Sequence, residues 1–355
     1  MSDHDPHESS ILPRRDFLKL GGAAAAGLVA KDLLGVEARA ADRRALPPLP
    51  ANPATRDAMP TRNLGKTGYR VGLFSLGGQA SIEQPNNEEQ AVAIVERALD
   101  LGVNYIDSAA AYGGNQRWSQ RYIGAVMKRR RSEAFITSKT HDRTRDGSLR
   151  LLEESLRLMN TDHLDLWQIH NVQRMEEIER IFAPGGVLEA LTHAREQKMV
   201  RFLGITGHFD PQPLMEGIRR FPFDTVLMSL NAADRHQSTF ATALLPLAVE
   251  KQMGIIGMKI PARSRILATY KPTGFQLGQW GESNSPGTLT MREAMYYTLS
   301  HPVSTVIIGC DDPAQVEENV RLAREFTPLT EPQLAALASK TEPIKRQALF
   351  FRRWS

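Results

Sequence analysis

The segment from residue 73 to residue 325 alternates short apolar runs with amphipathic stretches, and this alternation constrains the fold more than any other feature. Eight runs rich in Val, Ile, Leu and Phe are each followed, directly or after a loop, by a stretch with apolar side chains every three or four residues. The first pattern is typical of buried strands and the second of amphipathic helices. Eight such pairs predict an α/β chain folded as a parallel (β/α)8 TIM barrel.

The bounds of these segments follow from the apolar pattern and from the turn residues between them. The predicted strands are residues 73–76, 105–107, 134–138, 164–169, 201–205, 225–230, 254–258 and 305–308. The predicted helices are residues 88–101, 119–128, 148–159, 187–198, 211–219, 241–251, 291–300 and 313–325.

Two further segments do not fit the alternation. Residues 61–71 contain two short runs around Gly65 and Gly68, which predicts a β-hairpin before the barrel. Residues 260–290, which include Phe275 and Trp280, form a connection after strand seven that is too long for a turn. Because loops at the carboxyl ends of barrel strands build active sites, we interpret it as a substrate-covering loop, with mobility without function as the alternative.

Length and composition agree with one domain. The chain of 355 residues is 41% apolar and 24% charged, enough for one barrel of about 250 residues with extensions. We place a linker at residues 41–58, the barrel at 59–330 and a helical or loop extension at 331–355. The formal charge of +4 and a single basic block, which we interpret as a helix end, argue against nucleic-acid binding. The single cysteine, Cys310, excludes an internal disulfide.

The first forty residues have the pattern of an export signal. The segment from Pro13 to Lys19 contains Arg14 and Arg15 and resembles the twin-arginine (Tat) motif. The apolar run that follows is too short for a permanent membrane span, and small residues precede a cleavage site after Ala40. We therefore expect a signal peptide at residues 1–40, the twin-arginine export machinery as a partner, a periplasmic or otherwise exported protein, and no stable membrane insertion after cleavage. An ordinary amphipathic N-terminal helix is the disfavoured alternative, because the apolar residues of this segment do not fall on one face of a helix.

Four polar side chains follow the strands in order. Asp107 ends strand two, Tyr112 lies in the next loop, Lys139 ends strand three and His170 follows strand four. Carboxyl ends of barrel strands meet at one face, where active sites are built. A phenol needs a neighbouring cation and hydrogen-bond partners for proton transfer near neutral pH. We therefore expect the four to form one site.

This set, in this order and context, resembles the tetrad of the aldo/keto reductase superfamily, and the similarity extends over most of residues 60–326. The resemblance implies a nicotinamide-dependent oxidoreductase that interconverts an alcohol and a small aldehyde, ketone or sugar-derived carbonyl. Tyr112 would donate the proton, Lys139 and Asp107 would lower the pKa of Tyr112, and His170 would orient the substrate. It also implies that the hairpin covers the bottom of the barrel.

The cofactor expectation rests on the last strand and helix. Residues 306–320 read as a strand, a glycine turn and a helix N-terminus, which suits a phosphate. In the family resembled, this segment binds the adenosine half of NADP. The corresponding positions here are Gly309, Cys310 and Gln315 around the 2′-phosphate, and Glu318 and Asn319 near adenine. The usual cations are absent and Asp311 and Asp312 add negative charge, so NAD is the alternative to NADP.

The nicotinamide end departs from the family pattern. Met258 stands where many members have a stacking aromatic residue, and Lys259 follows it as a candidate phosphate contact. Thr206 and Gly207 replace the usual Ser-Asn pair, and Gly78 completes the predicted cofactor set. His208 follows strand five, and a cofactor or substrate contact and a plain loop role are equally open for it.

Two questions of function stay open from the sequence. These departures leave a noncatalytic cofactor- or ligand-binding barrel as the alternative to an enzyme. Free nicotinamide cofactor is scarce outside the cytoplasm, so an exported enzyme would have to retain the cofactor that it bound before export.

No His, Cys, Asp or Glu spacing predicts a metal site.

Overall fold

The structure, a computed structural model, describes residues 45–271 and 285–352. The predicted signal peptide and its cleavage site lie outside these residues. So does the centre of the long connection after strand seven, including Phe275 and Trp280.

Ten strands are present in the described part of the chain. Two form an antiparallel hairpin, and the other eight form a closed parallel barrel in which the last strand pairs with the first. The strands are β1 (Thr61–Asn63), β2 (Arg70–Gly72), β3 (Phe74–Gly77), β4 (Tyr105–Asp107), β5 (Phe135–Thr140), β6 (Leu164–Ile169), β7 (Val200–Gly207), β8 (Thr225–Ser229), β9 (Gly254–Met258) and β10 (Thr305–Gly309). The predicted barrel and hairpin are confirmed.

Helices follow the barrel strands as predicted. Within the described residues they are α1 (Thr55–Ala58), α2 (Glu88–Asp100), α3 (Trp118–Arg130), α4 (Arg145–Leu158), α5 (Met175–Phe182), α6 (Val187–Glu196), α7 (Pro211–Arg220), α8 (Leu244–Glu250), α9 (Met291–Leu299), α10 (Pro313–Arg324), α11 (Glu331–Lys340) and α12 (Lys345–Ala348).

Two local features differ from the sequence prediction. Helix α4 begins three residues before the predicted Ser148, because the Thr144 hydroxyl accepts a hydrogen bond from Gly147 N and caps the helix there. Helix α5 was not predicted. It buries only Ile178 and Ile181, so its apolar pattern is too short to stand out in a sequence.

The barrel interior is apolar at the bottom and polar at the top. Side chains from the strands, among them Tyr105, Phe135 and Leu166, form an inner cluster that Leu64 and Tyr69 of the hairpin extend. A larger apolar cluster lies between the strands and the outer helices. Asp107 and Lys139 lie beyond the inner cluster at the carboxyl ends of β4 and β5, where the strands hold them on a rigid wall.

The segments flanking the barrel are anchored at specific points. In the segment before β1, Asn52 donates a hydrogen bond to the Leu99 carbonyl and Thr55 to the Gly102 carbonyl. After α12, the fully buried Arg352 pairs with Asp234 at 2.6 Å and lies over the Phe240 ring at 4.0 Å. The C-terminal segment is thus fixed beside the loop that follows β8.

Among the described residues, no helix combines the length and apolarity needed to cross a membrane. In the same residues, no group of three or more His, Cys, Asp or Glu side chains is arranged to hold a metal ion.

Candidate active site

The site is built around a buried ion pair between neighbouring strands. Nζ of Lys139, at the end of β5, donates to Oδ2 of Asp107, at the end of β4, at 2.5 Å. It also donates to the Ser108 carbonyl at 2.8 Å, while Thr137 donates to Oδ1 of Asp107 at 2.9 Å. Only 1% of the Lys139 side chain and 4% of the Asp107 side chain are exposed. Every polar contact that stabilises the two charges therefore comes from the barrel itself.

Tyr112 lies against this pair. Its hydroxyl accepts a long hydrogen bond of 3.4 Å from Nζ of Lys139, and the same ammonium lies 4.9 Å from the centre of the Tyr112 ring. The His170 ring meets the Tyr112 ring edge to face, with centroids 5.9 Å apart. The structure therefore brings together all four side chains predicted to form the tetrad.

The protonation of the phenol differs from the expectation. Burial raises the pKa of Tyr112 well above its usual value, and the negative charges of Asp107 and Glu83 raise it further. The prediction of a lowered pKa is wrong in direction, because burial and these two carboxylates outweigh the Lys139 ammonium, whose charge is compensated by Asp107 and whose Nζ is only loosely bonded to the phenol. Tyr112 is therefore protonated at neutral pH.

His170 is neutral in this setting. Burial lowers the pKa of His170 well below its usual value, and the positive charge of Lys139 lowers it further. Its backbone is fixed on both sides, since its N–H donates to the Thr140 carbonyl at 2.8 Å and its carbonyl accepts from Arg143 at 2.8 Å. Arg143 is itself paired with Glu177 at 2.7 Å. A neutral imidazole of this kind can donate or accept a hydrogen bond without changing charge.

A cleft of about 900 Å³ opens beside His170. The loops after β5, β6 and β7 form its walls, which include His141, Arg143, Asn171 and Asp210. The size is that of a small-molecule site, and the lining is more polar than is usual for such sites. Burial lowers the pKa of His141, the second imidazole in this wall.

A hydrogen-bonded pair of a histidine and an asparagine lies at the end of β7. Nδ1 of His208 is 2.9 Å from Oδ1 of Asn171, and the His208 ring contacts the Phe351 ring with centroids 6.2 Å apart. Asn171 adopts φ +54°, a conformation that Asn tolerates better than most residues. Its N–H donates to the hydroxyl of Thr206, a predicted cofactor contact, at 2.7 Å. Thr206 therefore supports the cleft wall.

Gly78, Met258, Lys259 and Gly309, also predicted as cofactor contacts, lie where β3, β9 and β10 end. A Cβ on Gly78 would come within 2.5 Å of the Asp107 carbonyl, so only glycine fits beside the ion pair. Met258 is 7% exposed, and Nζ of Lys259 donates to Oε1 of Gln79 at 3.4 Å. Burial, aided by the charge of Arg263, lowers the pKa of Lys259 to about 8.

Two contacts join the loop after β3 to the loop after β9. One is the Lys259–Gln79 hydrogen bond, and the other is an ion pair between Arg263 and Glu83 at 3.7 Å. Because β10 lies between β9 and β3 in the barrel, both contacts span the carboxyl end of β10. We call these four residues the interloop bridge.

The other predicted cofactor residues lie in or next to the first turns of α10, and their surroundings differ. Cys310 and Asn319 are buried against each other, with Nδ2 of Asn319 donating to Sγ at 3.4 Å, and burial raises the pKa of the thiol to about 12. Gln315 and Asp312 cap the helix, since Oε1 of Gln315 accepts from Asp311 N and Oδ1 of Asp312 accepts from Gln315 N. Glu318 is exposed to solvent.

Sequence reasoning missed several of these groups. A sequence signal for Asn171 did exist, because it directly follows the predicted site residue His170. No sequence signal identified Glu177, which lies on the unpredicted helix α5. None identified the contacts of the interloop bridge either, because they join residues 180 positions apart.

Comparison with known proteins agrees with this geometry. The model of the aldo/keto reductase family matches residues 70–342. L-galactose dehydrogenase of Arabidopsis thaliana is 26% identical over 310 residues, covering 80% of this chain and 95% of that protein. An uncharacterised oxidoreductase of Bacillus subtilis is 24% identical over 316 residues, covering 80% and 97%. The holo form of an aldo-keto reductase from Bacillus halodurans superposes with a TM-score of 0.65 at 24% identity, covering 79% and 96%.

The buried ion pair generates a stability prediction. Lys139→Met leaves the Asp107 carboxylate buried without its counter-charge, and we expect a loss of about 3–5 kcal/mol in the free energy of unfolding. The double variant Asp107→Asn/Lys139→Met removes both charges and should recover a large part of that loss. Denaturant unfolding at pH 7 measures all three proteins, with the exposed Lys128→Met on α3 as the control. A double variant no more stable than Lys139→Met would contradict the assignment.

Proposed function

Because the chain belongs to the aldo/keto reductase family, we propose that it is a nicotinamide-dependent oxidoreductase that interconverts a carbonyl and an alcohol. The observation that supports this most directly is the placement of a protonated, half-buried phenol between the Lys139 ammonium and the neutral His170 ring. His170, which meets the phenol ring, lines a cleft of small-molecule size. A protein that only binds a ligand has no need for such an arrangement.

The proposed chemistry assigns a separate task to each side chain. Tyr112 donates its proton to the carbonyl oxygen as the alcohol forms, and takes it back in the reverse direction. Because its pKa is high, the phenol holds its proton until the transfer, and Lys139 at 3.4 Å stabilises the tyrosinate that is left. Neutral His170 hydrogen-bonds the substrate oxygen and orients it. Asp107 compensates and positions Lys139 without touching the substrate.

The residues at the mouth fit a nicotinamide dinucleotide, which when bound would supply or accept the hydride. Met258 offers a soft surface to a flat ring at the end of β9, and Lys259 offers a cation to a phosphate. We favour NAD over the family-based expectation of NADP. Asp312 already caps α10, and the neighbouring carboxylate of Asp311 would repel a 2′-phosphate.

The substrate we propose is a small hydroxylated, sugar-derived carbonyl or the matching alcohol. One relative, L-galactose dehydrogenase, is named for a sugar. The cleft walls of imidazole, amide and guanidinium groups suit hydroxyl groups better than apolar aldehydes.

We further propose that the protein is exported through the twin-arginine pathway and keeps its cofactor. The motif with Arg14 and Arg15 motivates the first part. The interloop bridge, with its Arg263–Glu83 ion pair across the end of β10, motivates the second. A cofactor enclosed beneath that bridge would dissociate slowly.

Tyr112→Phe tests the catalytic assignment. Loss of the hydroxyl removes the proton donor but little volume, so we expect the rate of reduction of small aldehydes to fall at least about a hundredfold. Cofactor affinity, measured by fluorescence titration, should change less than about threefold. Tyr122→Phe, on the outer side of the barrel, is the matched control. Equal activity of Tyr112→Phe and wild type would contradict the proposal and favour the noncatalytic binding barrel.

Mass spectrometry of the protein from the exported fraction tests location and cofactor together. We expect a mature chain that begins at Ala41 and a nicotinamide dinucleotide near one per chain, with NAD exceeding NADP. A variant with Arg14→Lys and Arg15→Lys should remain in the cytoplasm at full length. An exported chain without cofactor, or a wild-type chain retained in the cytoplasm, would contradict the corresponding part.

Lys259 predicts a pH dependence of cofactor affinity. With a pKa of about 8 it is charged at pH 7 and loses its charge as the pH rises to 9, whereas the dinucleotide pyrophosphate keeps its charge. Affinity for NADH should therefore fall by up to about tenfold over this range. Lys259→Met should be weaker at pH 7 and nearly independent of pH. Lys66→Met, in the hairpin, should behave as wild type, and an unchanged pH profile in Lys259→Met would contradict the contact.

A further inference from the structure

The His208–Asn171 pair has hydrogen-bonding capacity that the proposed mechanism does not use. Oδ1 of Asn171 can only accept, so the 2.9 Å contact requires a proton on Nδ1 of His208. Burial lowers the pKa of His208 well below its usual value, and the charges of Lys259 and Lys139 lower it further, so the ring is neutral. Nε2 of His208 is therefore an acceptor, and Nδ2 of Asn171 carries two donors.

Neither group is engaged elsewhere in the described part of the chain. The Asn171 backbone bonds to Thr206 and Arg143, and the His208 carbonyl accepts from Ser229, but no hydrogen bond there involves Nε2 of His208 or Nδ2 of Asn171. The pair thus presents one acceptor and two donors side by side.

The position of the pair relates it to the reacting centre. Asn171 follows His170 directly and lines the same cleft. His208 follows β7, and the charges that act on it come from Lys139 on β5, Lys259 after β9 and Arg352 of the C-terminal segment. The imidazole therefore lies among the strand ends of the barrel mouth, with the Phe351 ring against it.

We propose that His208 and Asn171 form a hydroxyl-binding subsite that selects substrates with hydroxyl groups next to the reacting carbonyl. The proposal rests on the proposed function and names the specificity residues of that site. A hydroxyl donates to Nε2 of His208, and a neighbouring hydroxyl oxygen accepts from Nδ2 of Asn171. A vicinal diol satisfies both, because each hydroxyl both donates and accepts.

The same chemistry disfavours other ligands. A carboxylate or phosphate has only acceptors at neutral pH and would face the lone pair of Nε2. An unsubstituted aldehyde leaves both groups unpaired on binding, which a site built for a hydroxyl rejects strongly. Hydroxylated carbonyls are therefore favoured for two reasons. They form hydrogen bonds with His208 and Asn171, and an unsubstituted aldehyde leaves these two groups without partners.

Two substitutions test the subsite. His208→Leu removes the acceptor, and Asn171→Gly removes the amide while tolerating the positive φ of that position. Glyceraldehyde and propanal have the same number of carbons and differ in two hydroxyls. In each variant kcat/KM should fall about tenfold more for glyceraldehyde than for propanal, mainly through KM. The double variant should lose no more than the larger single effect, because the two residues act as a unit.

Controls separate this role from a structural one. His193→Leu, on the outer helix α6, also removes an imidazole and should affect the two aldehydes alike. Equal losses for both aldehydes in His208→Leu and Asn171→Gly, or no loss with either, would overturn the subsite.

A binding measurement tests the subsite independently of catalytic turnover. In the Tyr112→Phe background, saturation-transfer NMR should show stronger contact with glyceraldehyde than with propanal, and His208→Leu should abolish the difference. A wild type that reduces neither aldehyde would refute the reductase proposal alone. Glyceraldehyde contact that His208→Leu leaves undiminished would refute the subsite.

Discussion

The site depends on one interaction, the buried ion pair between Lys139 and Asp107. Both charges are removed from water, and their desolvation is offset by each other, by the Ser108 carbonyl, by the Thr137 hydroxyl and by the longer contact to the Tyr112 hydroxyl. Such a pair tolerates little displacement, so it fixes the end of β4 relative to the end of β5. It also determines the state of Tyr112. Burial and the Asp107 charge raise the pKa of Tyr112, so the phenol keeps its proton at neutral pH.

Around this rigid centre, the specificity groups are supplied by loops and by distant parts of the chain. The interloop bridge joins the loops after β3 and β9. The buried Arg352–Asp234 pair holds the C-terminal segment in place, and that segment brings Phe351 against His208. The ion pair thus belongs to the barrel wall, whereas the groups proposed to select substrate and cofactor belong to elements that can vary without disturbing the wall.

The sequence predicted the barrel well because its strands are short, apolar and separated by regular helices. Residues 105–107, 164–169 and 254–258 match β4, β6 and β9 at both ends. The predictions failed where one local contact outweighs the pattern, as at the Thr144 cap, or where a helix has little apolar surface, as in α5. The predicted tetrad residues also meet in space. The expected direction of the Tyr112 pKa shift was wrong, because burial and two nearby carboxylates raise this pKa and neither effect is visible in the sequence.

The sequence by itself therefore determined the architecture and the order of the polar side chains along it. Hydrophobic periodicity specifies strands and helices, and closure of parallel strands brings their carboxyl ends to one face. Only the tertiary structure decided which of those side chains are charged and which are engaged. It buried Cys310 against Asn319, capped α10 with Asp312 and paired His208 with Asn171. The physical reason is that burial and hydrogen bonding act over a few ångströms between residues far apart in the chain, and a sequence pattern does not record those distances.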